Sequence, residues 1–274
     1  CFKTLVISSS KVKNVIEHTH IKAVTLTGSE YAGSEVASQA AKVIKKSVLE
    51  LGGSDPLIVF EDADVNKAVE MAILSRYLNC GQSCIGAKRF LIQSSVYDLF
   101  LDKLKVKLEG LKAGNPLHNV DIGPLAQMKF KTEALELITD AVSKGAILTG
   151  GEDMGEALLS PGYLTNISED SRLFKGEMFG PIASIYQFKT KEEAVQLANV
   201  TPFGLASSIW TNNTELINYC IANIEAGAVF VNDMVKSDPR LPFGGIKKSG
   251  YGRELAIDGL LEFVNHKTVV KRIP

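Results

Sequence analysis

Residues 21–33 read IKAVTLTGSEYAG, and this stretch predicts a strand, a glycine turn and a helix in succession. Residues 21–27 are rich in β-branched side chains and alternate between apolar and polar positions, as half-buried strands do. Gly28 and Gly33 mark the turn, and residues 35–46 follow with apolar side chains at helical spacing. A strand that passes through a tight turn into a helix is a building unit of α/β folds.

The rest of the chain repeats this alternation of strand and helix patterns. Further strands are predicted at residues 47–51, 56–60, 89–92, 146–149, 182–188, 205–210 and 228–232. Helices are predicted from Asp62 or Asp64 to about residue 78, and near residues 96–111, 127–144, 191–198, 214–225 and 254–263. An irregular loop is expected at residues 233–252 and a β-prone run at residues 268–273. The pattern predicts an α/β fold with a largely parallel sheet.

Composition excludes several classes of protein. The 274 residues are 45% hydrophobic and 22% charged, with a net charge of −1, so no basic field favours nucleic acid or anionic lipid. No uncharged apolar run approaches the roughly 20 residues that a membrane helix needs. Four cysteines do not form a secreted disulfide framework in a chain of this size. We therefore expect a cytoplasmic protein without nucleic-acid or membrane partners.

Two glycine-rich segments and one carboxylate could carry chemistry. The turn TGSEYAG at residues 27–33 could present backbone N–H groups to a phosphate, but it matches neither dinucleotide nor Walker fingerprints, so a plain turn is the alternative. GGIKKSGYG at residues 244–252 has the wrong order for a P-loop. Glu50, in LELGG, ends a predicted strand before two glycines, which suits a general base or a solvent-facing side chain.

The segment NCGQSC at residues 79–84 holds two cysteines four positions apart. A metal site would need further ligands, and the four histidines show no ligand spacing, so no metal is predicted. Cys220 is interpreted as a buried structural thiol. Cys84 lies among small residues that keep a thiol accessible, and a helix beginning there would favour its thiolate. The residues alone leave a catalytic and a structural Cys84 equally open.

Taken together, five motifs resemble the aldehyde dehydrogenase superfamily. In family order the chain shows VTLTGSEYAG (24–33), ELGG (50–53), NCGQSC (79–84), EMFGPI (177–182), and PFGG followed by KKSGYGRE (242–254). The resemblance covers the whole chain, and ELGGSDP and SDPRLPFGG are closest to the bacterial succinate-semialdehyde dehydrogenase branch. It implies NAD or NADP as cofactor, a small aldehyde as substrate, and a homo-oligomer, either dimer or tetramer.

The same resemblance implies roles for individual residues. Cys84 corresponds to the nucleophile and Glu50 to the general base, while Cys80 occupies a variable position. The positions matching cofactor contacts are Gly28, Ser29 and Gly33 near the pyrophosphate, Leu51, Glu177 at the nicotinamide ribose, and Phe179 near the nicotinamide. The implied reaction passes through a thiohemiacetal and a thioester, with Glu50 activating the water that hydrolyses the thioester.

Recognition of a distal substrate carboxylate is less direct. Some succinate-semialdehyde enzymes place an arginine just before the Asn of the cysteine motif, where this chain has Leu78, with Arg76 two residues earlier. Ser237 and Arg240 are the substitute candidates, because a bidentate Arg suits a carboxylate. Arg240 could equally be a structural ion-pair partner.

The resemblance also predicts the domain organisation. Residues 1–50 would be the C-terminal remnant of a Rossmann-type cofactor domain, residues 51–235 an α/β catalytic domain, and residues 236–274 a segment returning to the cofactor domain with an oligomerisation strand. The family's oxyanion-hole Asn and adenosine-ribose Lys would precede this chain, so we expect weak or no activity from the chain alone. The alternatives are a dehydrogenase for another small aldehyde and a non-catalytic subunit that only oligomerises.

Overall fold

A computed structural model describes residues 2–273, so predictions that reach Cys1 or Pro274 lie partly outside the described residues. The α-helices are α1 Val12–Glu17, α2 Glu30–Lys42, α3 Val65–Tyr77, α4 Tyr97–Glu109, α5 Met128–Ser143, α6 Arg172–Lys175, α7 Lys191–Asn199, α8 Thr214–Asn223 and α9 Ala256–Leu261. The strands are β1 Ala23–Thr27, β2 Lys46–Glu50, β3 Pro56–Val59, β4 Arg89–Gln93, β5 Ile147–Gly150, β6 Gly162–Thr165, β7 Ile182–Phe188, β8 Phe203–Gly204, β9 Ala206–Trp210, β10 Ala228–Val231, β11 Ile246–Lys247 and β12 Gly250–Tyr251. Short 3₁₀ helices lie at Ser9–Lys11, Leu78–Gly81 and Ser94–Val96.

The strands are divided between a small sheet and a large one. The small sheet has the order β1-β2-β12, with β1 parallel and β12 antiparallel to β2. The large sheet has the order β10-β9-β3-β4-β7-β6-β5, and only β5 runs antiparallel to its neighbour. Strands β8 and β11 pair separately. The predicted α/β class with a largely parallel sheet is confirmed.

Both faces of the large sheet are buried under helices. Successive residues of β3 and β4 point to opposite faces, so Ile58 and Leu91 join one apolar cluster while Leu57 and Phe90 join the other. Helices α5, α7 and α8 cover the first cluster, and α3 and α4 cover the second. Strands buried on both faces read as continuous apolar runs, as PLIV in β3 does.

Several boundaries differ from the sequence predictions. Helix α2 begins at Glu30 rather than residue 35, because the Ser29 hydroxyl accepts a hydrogen bond from the Ala32 N–H over 3.2 Å and caps the helix there. Strands β2 and β3 flank the Gly52-Gly53 turn as predicted but belong to different sheets. The predicted loop at residues 233–252 contains β11 and β12, whose partners are distant in sequence.

Other elements were not predicted, or are absent where a strand was predicted. The helices α1 and α6 and the strand β6 had no assigned pattern. Residues 268–273 have no regular secondary structure in this single chain, because a β-prone segment needs a neighbouring strand to pair with. Whether these residues form an oligomerisation strand stays a prediction.

Candidate active site

Three loops meet at the amino ends of β3, β4 and β7, which are neighbours in the large sheet. The Gly52-Gly53 turn precedes β3, the segment with Cys84 precedes β4, and the segment with Glu177 precedes β7. The Gly53 N–H donates to Glu177 Oε1 over 3.2 Å, and a Cβ on Gly53 would lie 2.8 Å from the Cys84 carbonyl oxygen. The missing side chain at Gly53 therefore lets the cysteine segment pack directly against the turn.

Glu50 is the last residue of β2 and holds a buried carboxyl group. Its side chain is 3% exposed, and neither carboxyl oxygen has a hydrogen-bond partner among residues 2–273. Burial raises the pKa of Glu50 to about 8; the negative charge of Glu254 adds to this rise and Arg253 opposes it. A carboxylate with a raised pKa and unused lone pairs is suited to accept a proton from water.

Cys84 lies in a turn, and no helix begins at this position, contrary to the conditional expectation that a helix N-terminus supports its thiolate. The residue is partly buried, and its backbone N–H has no hydrogen-bond partner within the described part of the chain. Burial raises the pKa of the Cys84 thiol. The charge of Lys88 opposes this rise, Asp55 adds to it, and the Ile85 N–H again opposes it.

Glu177 and Phe179 lie on the segment that leads into β7. The Glu177 carboxylate occupies the space where a side chain on Gly52 would be, and its Oε1 is 3.4 Å from Lys88 Nζ. About a fifth of the Glu177 side chain is exposed (20%). Phe179 is partly buried and packs edge-to-face on Phe130 with 5.8 Å between ring centroids. Glu177 and the Cys84 segment thus both pack against the Gly52-Gly53 turn.

The four remaining predicted cofactor residues lie around the start of α2. Gly28 and Ser29 are exposed, and Ser29 caps this 13-residue helix. A Cβ on Gly33 would lie 2.6 Å from Leu51 Cδ2, so the glycine allows Leu51 to pack tightly on the helix. An accessible helix N-terminus next to a glycine turn is suited to bind phosphate.

The two candidates for substrate-carboxylate binding lie on the exposed loop before β11. Ser237 is exposed, and the Arg240 guanidinium forms two hydrogen bonds with Asp238, of 2.9 Å from Nε and 2.6 Å from Nη2. Arg240 is therefore engaged as an ion-pair partner, which was its alternative interpretation. Leu78 is 56% exposed.

Sequence reasoning missed a group of buried charged residues beside Cys84. Lys88 is 1% exposed, Asp55 is 2% exposed and Arg76 is fully buried. Burial raises the pKa of Asp55 to about 7, with Lys88 opposing, and its Oδ1 accepts the Ala206 N–H over 3.1 Å. A charged residue directly before an apolar strand, as in SDPLIV and AKRFLI, is the signal that could have revealed Asp55 and Lys88.

Arg76 connects two of the loops. Its Nη2 donates to the carbonyl oxygens of Met178, over 2.9 Å, of Gly81 and of Gly180. Burial lowers the pKa of Arg76 to about 10. Because the guanidinium spans the cysteine segment and the Glu177 segment, it fixes their spacing.

The other described cysteines have structural surroundings. The Cys80 thiol donates to the Gly123 carbonyl oxygen over 3.2 Å, and Cys220 is buried in the apolar core. Within residues 2–273, no group of three or more His, Cys, Asp or Glu side chains could hold a metal ion. In the same residues, no helix is both long and apolar enough to span a bilayer.

Known proteins resemble this chain in sequence. Succinate-semialdehyde dehydrogenase [NADP(+)] 1 of Mycobacterium ulcerans is 45% identical over 276 aligned positions, which cover 98% of this chain and 60% of the relative. The probable succinate-semialdehyde dehydrogenase [NADP(+)] of Synechocystis is 48% identical with the same coverage. The chain thus spans about three-fifths of the length of these relatives.

Solved structures agree with the observed fold. Succinic semialdehyde dehydrogenase from Streptococcus pyogenes, in complex with NADP+, superposes with a TM-score of 0.91 at 38% identity, over 94% of this chain and 58% of that one. Succinate-semialdehyde dehydrogenase from Burkholderia pseudomallei gives a TM-score of 0.90 at 35% identity, over 94% and 55% of the two chains. The model of the aldehyde dehydrogenase family matches residues 3–269, and the chain therefore belongs to this family.

Proposed function

We propose that this chain carries the nucleophile and the general base of a nicotinamide-dependent enzyme that oxidises succinate semialdehyde to succinate. The observation that carries the proposal is the buried, unpartnered Glu50 carboxyl, with its pKa raised to about 8, on the strand that enters the Gly-Gly turn against Cys84. The names of relatives 45–48% identical to this chain support the substrate.

In the first step, the Cys84 sulfur adds to the aldehyde carbon and the carbonyl oxygen becomes an oxyanion. The Cys84 N–H has no other hydrogen-bond partner among the described residues, so it is free to donate to this oxygen. The attacking species is the thiolate; burial raises the pKa of the Cys84 thiol, and the charge of Lys88 opposes this rise. The product is a thiohemiacetal on Cys84.

The residues around the Gly-Gly turn and α2 fit a nicotinamide dinucleotide. Ser29 and Gly28 leave the N-terminus of α2 accessible for phosphate, and Glu177 presents a partly exposed carboxylate that can accept hydrogen bonds from ribose hydroxyls. Phe179 provides an adjacent aromatic surface. When bound, NAD or NADP supplies the acceptor for the hydride that leaves the substrate carbon.

Hydrolysis of the thioester on Cys84 depends on Glu50. Water adds to the thioester carbon, its proton passes to Glu50, and the carbon–sulfur bond breaks to release the carboxylic acid and the Cys84 thiolate, which can take the proton back from Glu50. Because neither Glu50 oxygen has a hydrogen-bond partner among residues 2–273, either could accept this proton. The base must be ionised, so hydrolysis is expected to accelerate as the pH rises through about 8.

A dehydrogenase assay tests the proposed function. The 274-residue chain is mixed with succinate semialdehyde and each nicotinamide cofactor in turn, with Cys84→Ser as the blank. The same pair of enzymes is then assayed in a chain extended to the length of the relatives. Cofactor reduction that requires Cys84, in either the 274-residue chain or the extended chain, supports the function, and turnover that survives Cys84→Ser contradicts it. We expect the shorter chain to be weakly active or inactive.

The proposal includes the arrangement of the chain and its alternatives. Residues 1–50 would complete a cofactor domain, residues 51–235 a catalytic domain, and residues 236–274 a segment with an oligomerisation strand. Exposed apolar side chains such as Ile257, Leu260 and Val270 support a dimer or tetramer, and the cysteine content favours the cytoplasm. A competing substrate is another small aldehyde, since Arg240 is paired with Asp238.

A further inference from the structure

Lys88 is a buried lysine whose ammonium group lies beside the nucleophile. Its Nζ donates to the carbonyl oxygens of Ser83 and Cys84, each over 2.6 Å, and lies 3.4 Å from Glu177 Oε1. An ammonium group has three donors; the two carbonyl oxygens accept hydrogen bonds from two of them, and Glu177 adds an ion-pair contact. Burial lowers the pKa of Lys88, while the carboxyl groups of Glu177 and Asp55 favour its charged form.

The two carbonyl groups that Lys88 contacts belong to the peptide planes on either side of Cys84. The described residues contain no cis peptide bond, and in a trans peptide the C=O and N–H point in opposite directions. The Ser83 carbonyl therefore shares its plane with the Cys84 N–H, and the Cys84 carbonyl shares its plane with the Ile85 N–H. With Lys88 on the carbonyl side, both N–H groups point away from it.

Both of these N–H groups are placed for chemistry. The Cys84 N–H has no hydrogen-bond partner among the described residues, and the Ile85 N–H lowers the pKa of the Cys84 thiol and so favours the thiolate. A cation on the two carbonyl oxygens polarises both peptides and makes their N–H groups better donors. The positive charge also favours the thiolate directly.

We infer that Lys88 is a positioning residue for Cys84: its ammonium group fixes the two peptide planes around the sulfur and aims both N–H groups at the reacting atoms. The oxyanion part of this inference rests on the proposed function, whereas the effect on the thiol does not. A purely structural ion pair with Glu177 would give shorter contacts to the carboxylate than to the carbonyls. The observed distances are the reverse, 3.4 Å against 2.6 Å.

The test measures how fast iodoacetamide alkylates Cys84 in the 274-residue chain between pH 6 and 10, with each cysteine followed by peptide mass spectrometry. Lys88→Met removes the charge but keeps the length of the side chain, and Lys88→Arg keeps the charge. Lys131→Met is the matched control, because Lys131 is also buried (4% exposed) and also forms an ion pair, with Asp153. Alkylation of the fully buried Cys220 reports unfolding in every variant.

In Lys88→Met we expect Cys84 to react about tenfold more slowly at pH 7 and the rate profile to shift to higher pH, since an opposite charge at this range favours the thiolate. Lys88→Arg should recover part of the rate and Lys131→Met should match the original chain. A folded Lys88→Met protein with an unshifted profile overturns the inference. If Cys220 reacts rapidly in Lys88→Met, that variant is unfolded and Lys88→Gln is used in its place, since Gln is neutral but can still donate to one carbonyl oxygen. A shifted rate profile in Lys88→Gln then supports the inference and an unshifted one overturns it. Because alkylation needs neither aldehyde nor cofactor, the alkylation test can be interpreted even if the dehydrogenase assay shows no activity.

Discussion

The sharpest consequence of the buried Glu50 carboxyl concerns the pH dependence of thioester hydrolysis. An activated acetyl ester acylates Cys84 without any cofactor, and the acylated chain can be separated from excess ester. Its decay, followed by intact mass, then reports hydrolysis alone and no longer depends on the pKa of the Cys84 thiol. The change to introduce is Glu50→Gln, which keeps the size of the side chain and removes the base.

The expected magnitude follows from the pKa of about 8. At pH 7 only about one-tenth of a group with this pKa is ionised, and at pH 9 about nine-tenths is. A positioned general base contributes about 10²–10⁴-fold to a rate. We therefore expect Glu50→Gln to slow decay at pH 9 by at least about 100-fold. At pH 7 the slowing should be about tenfold smaller, because most Glu50 side chains of the original chain are then protonated and cannot act as a base.

The control is Glu254→Gln, because the negative charge of Glu254 helps to raise the pKa of Glu50. This variant should retain fast decay but show its inflection at lower pH. The reasoning fails if Glu50→Gln decays within about twofold of the original chain at pH 9, after the uncatalysed hydroxide rate has been subtracted. It also fails if the original chain shows no inflection between pH 7 and 9.

Three other predictions concern reactivity and stability. Cys84 should be alkylated faster than Cys220 near neutral pH, because Cys220 is fully buried and its pKa is raised to about 11; peptide mass spectrometry of one sample compares them. Gly53→Ala should lower the free energy of unfolding by about 1–3 kcal/mol in urea titrations, because the new Cβ meets the Cys84 carbonyl oxygen at 2.8 Å; an unchanged midpoint would contradict this. Glu50 in the folded chain keeps its proton up to about pH 8, whereas in the unfolded chain it ionises near its usual pKa of 4.5, so stability falls as the pH rises through that window. Glu50→Gln should therefore be more stable than the original chain at pH 9, by up to about 5 kcal/mol, and equal to it at pH 4, as measured by urea unfolding at both pH values.

The fold was largely predictable because its strongest determinants are local. The alternation in β1 and the apolar run of β7 are read directly from neighbouring residues, and the predicted bounds of β7 agree with the structure. The strands β11 and β12 could not be found in this way, since each has two residues and exists only through partners distant in sequence. The start of α2 was misplaced because the glycine turn outweighed the Ser29 cap.

In the candidate site too, residues marked by a local sequence pattern were predictable, whereas residues placed by long-range packing were not. Cys84 and Glu50 stand out because small residues and glycines surround them in the sequence. Arg76 gives no such local signal, and Lys88 gives only its place directly before an apolar strand, since a charged residue in a mixed sequence is usually on the surface. Their partners are backbone carbonyl oxygens, which every residue possesses, so no complementary residue type marks the interaction.

The loop that carries Cys84 depends on buried cations for a physical reason. A loop with glycines at positions 81 and 86 has little side-chain volume with which to hold its own shape, and Asn79 and Cys80 adopt left-handed backbone conformations within it. The hydrogen bonds made within this loop are few, such as that from Asn79 Nδ2 to the Gln82 carbonyl oxygen over 2.9 Å, so groups that bind its backbone from outside add to its order. Buried cations are effective in this role, because each donates several hydrogen bonds to backbone carbonyl oxygens. Arg76 and Lys88 therefore help to order the nucleophile segment, and substitutions at these two positions should disturb Cys84 more than substitutions of the exposed residues Leu78 and Asn79.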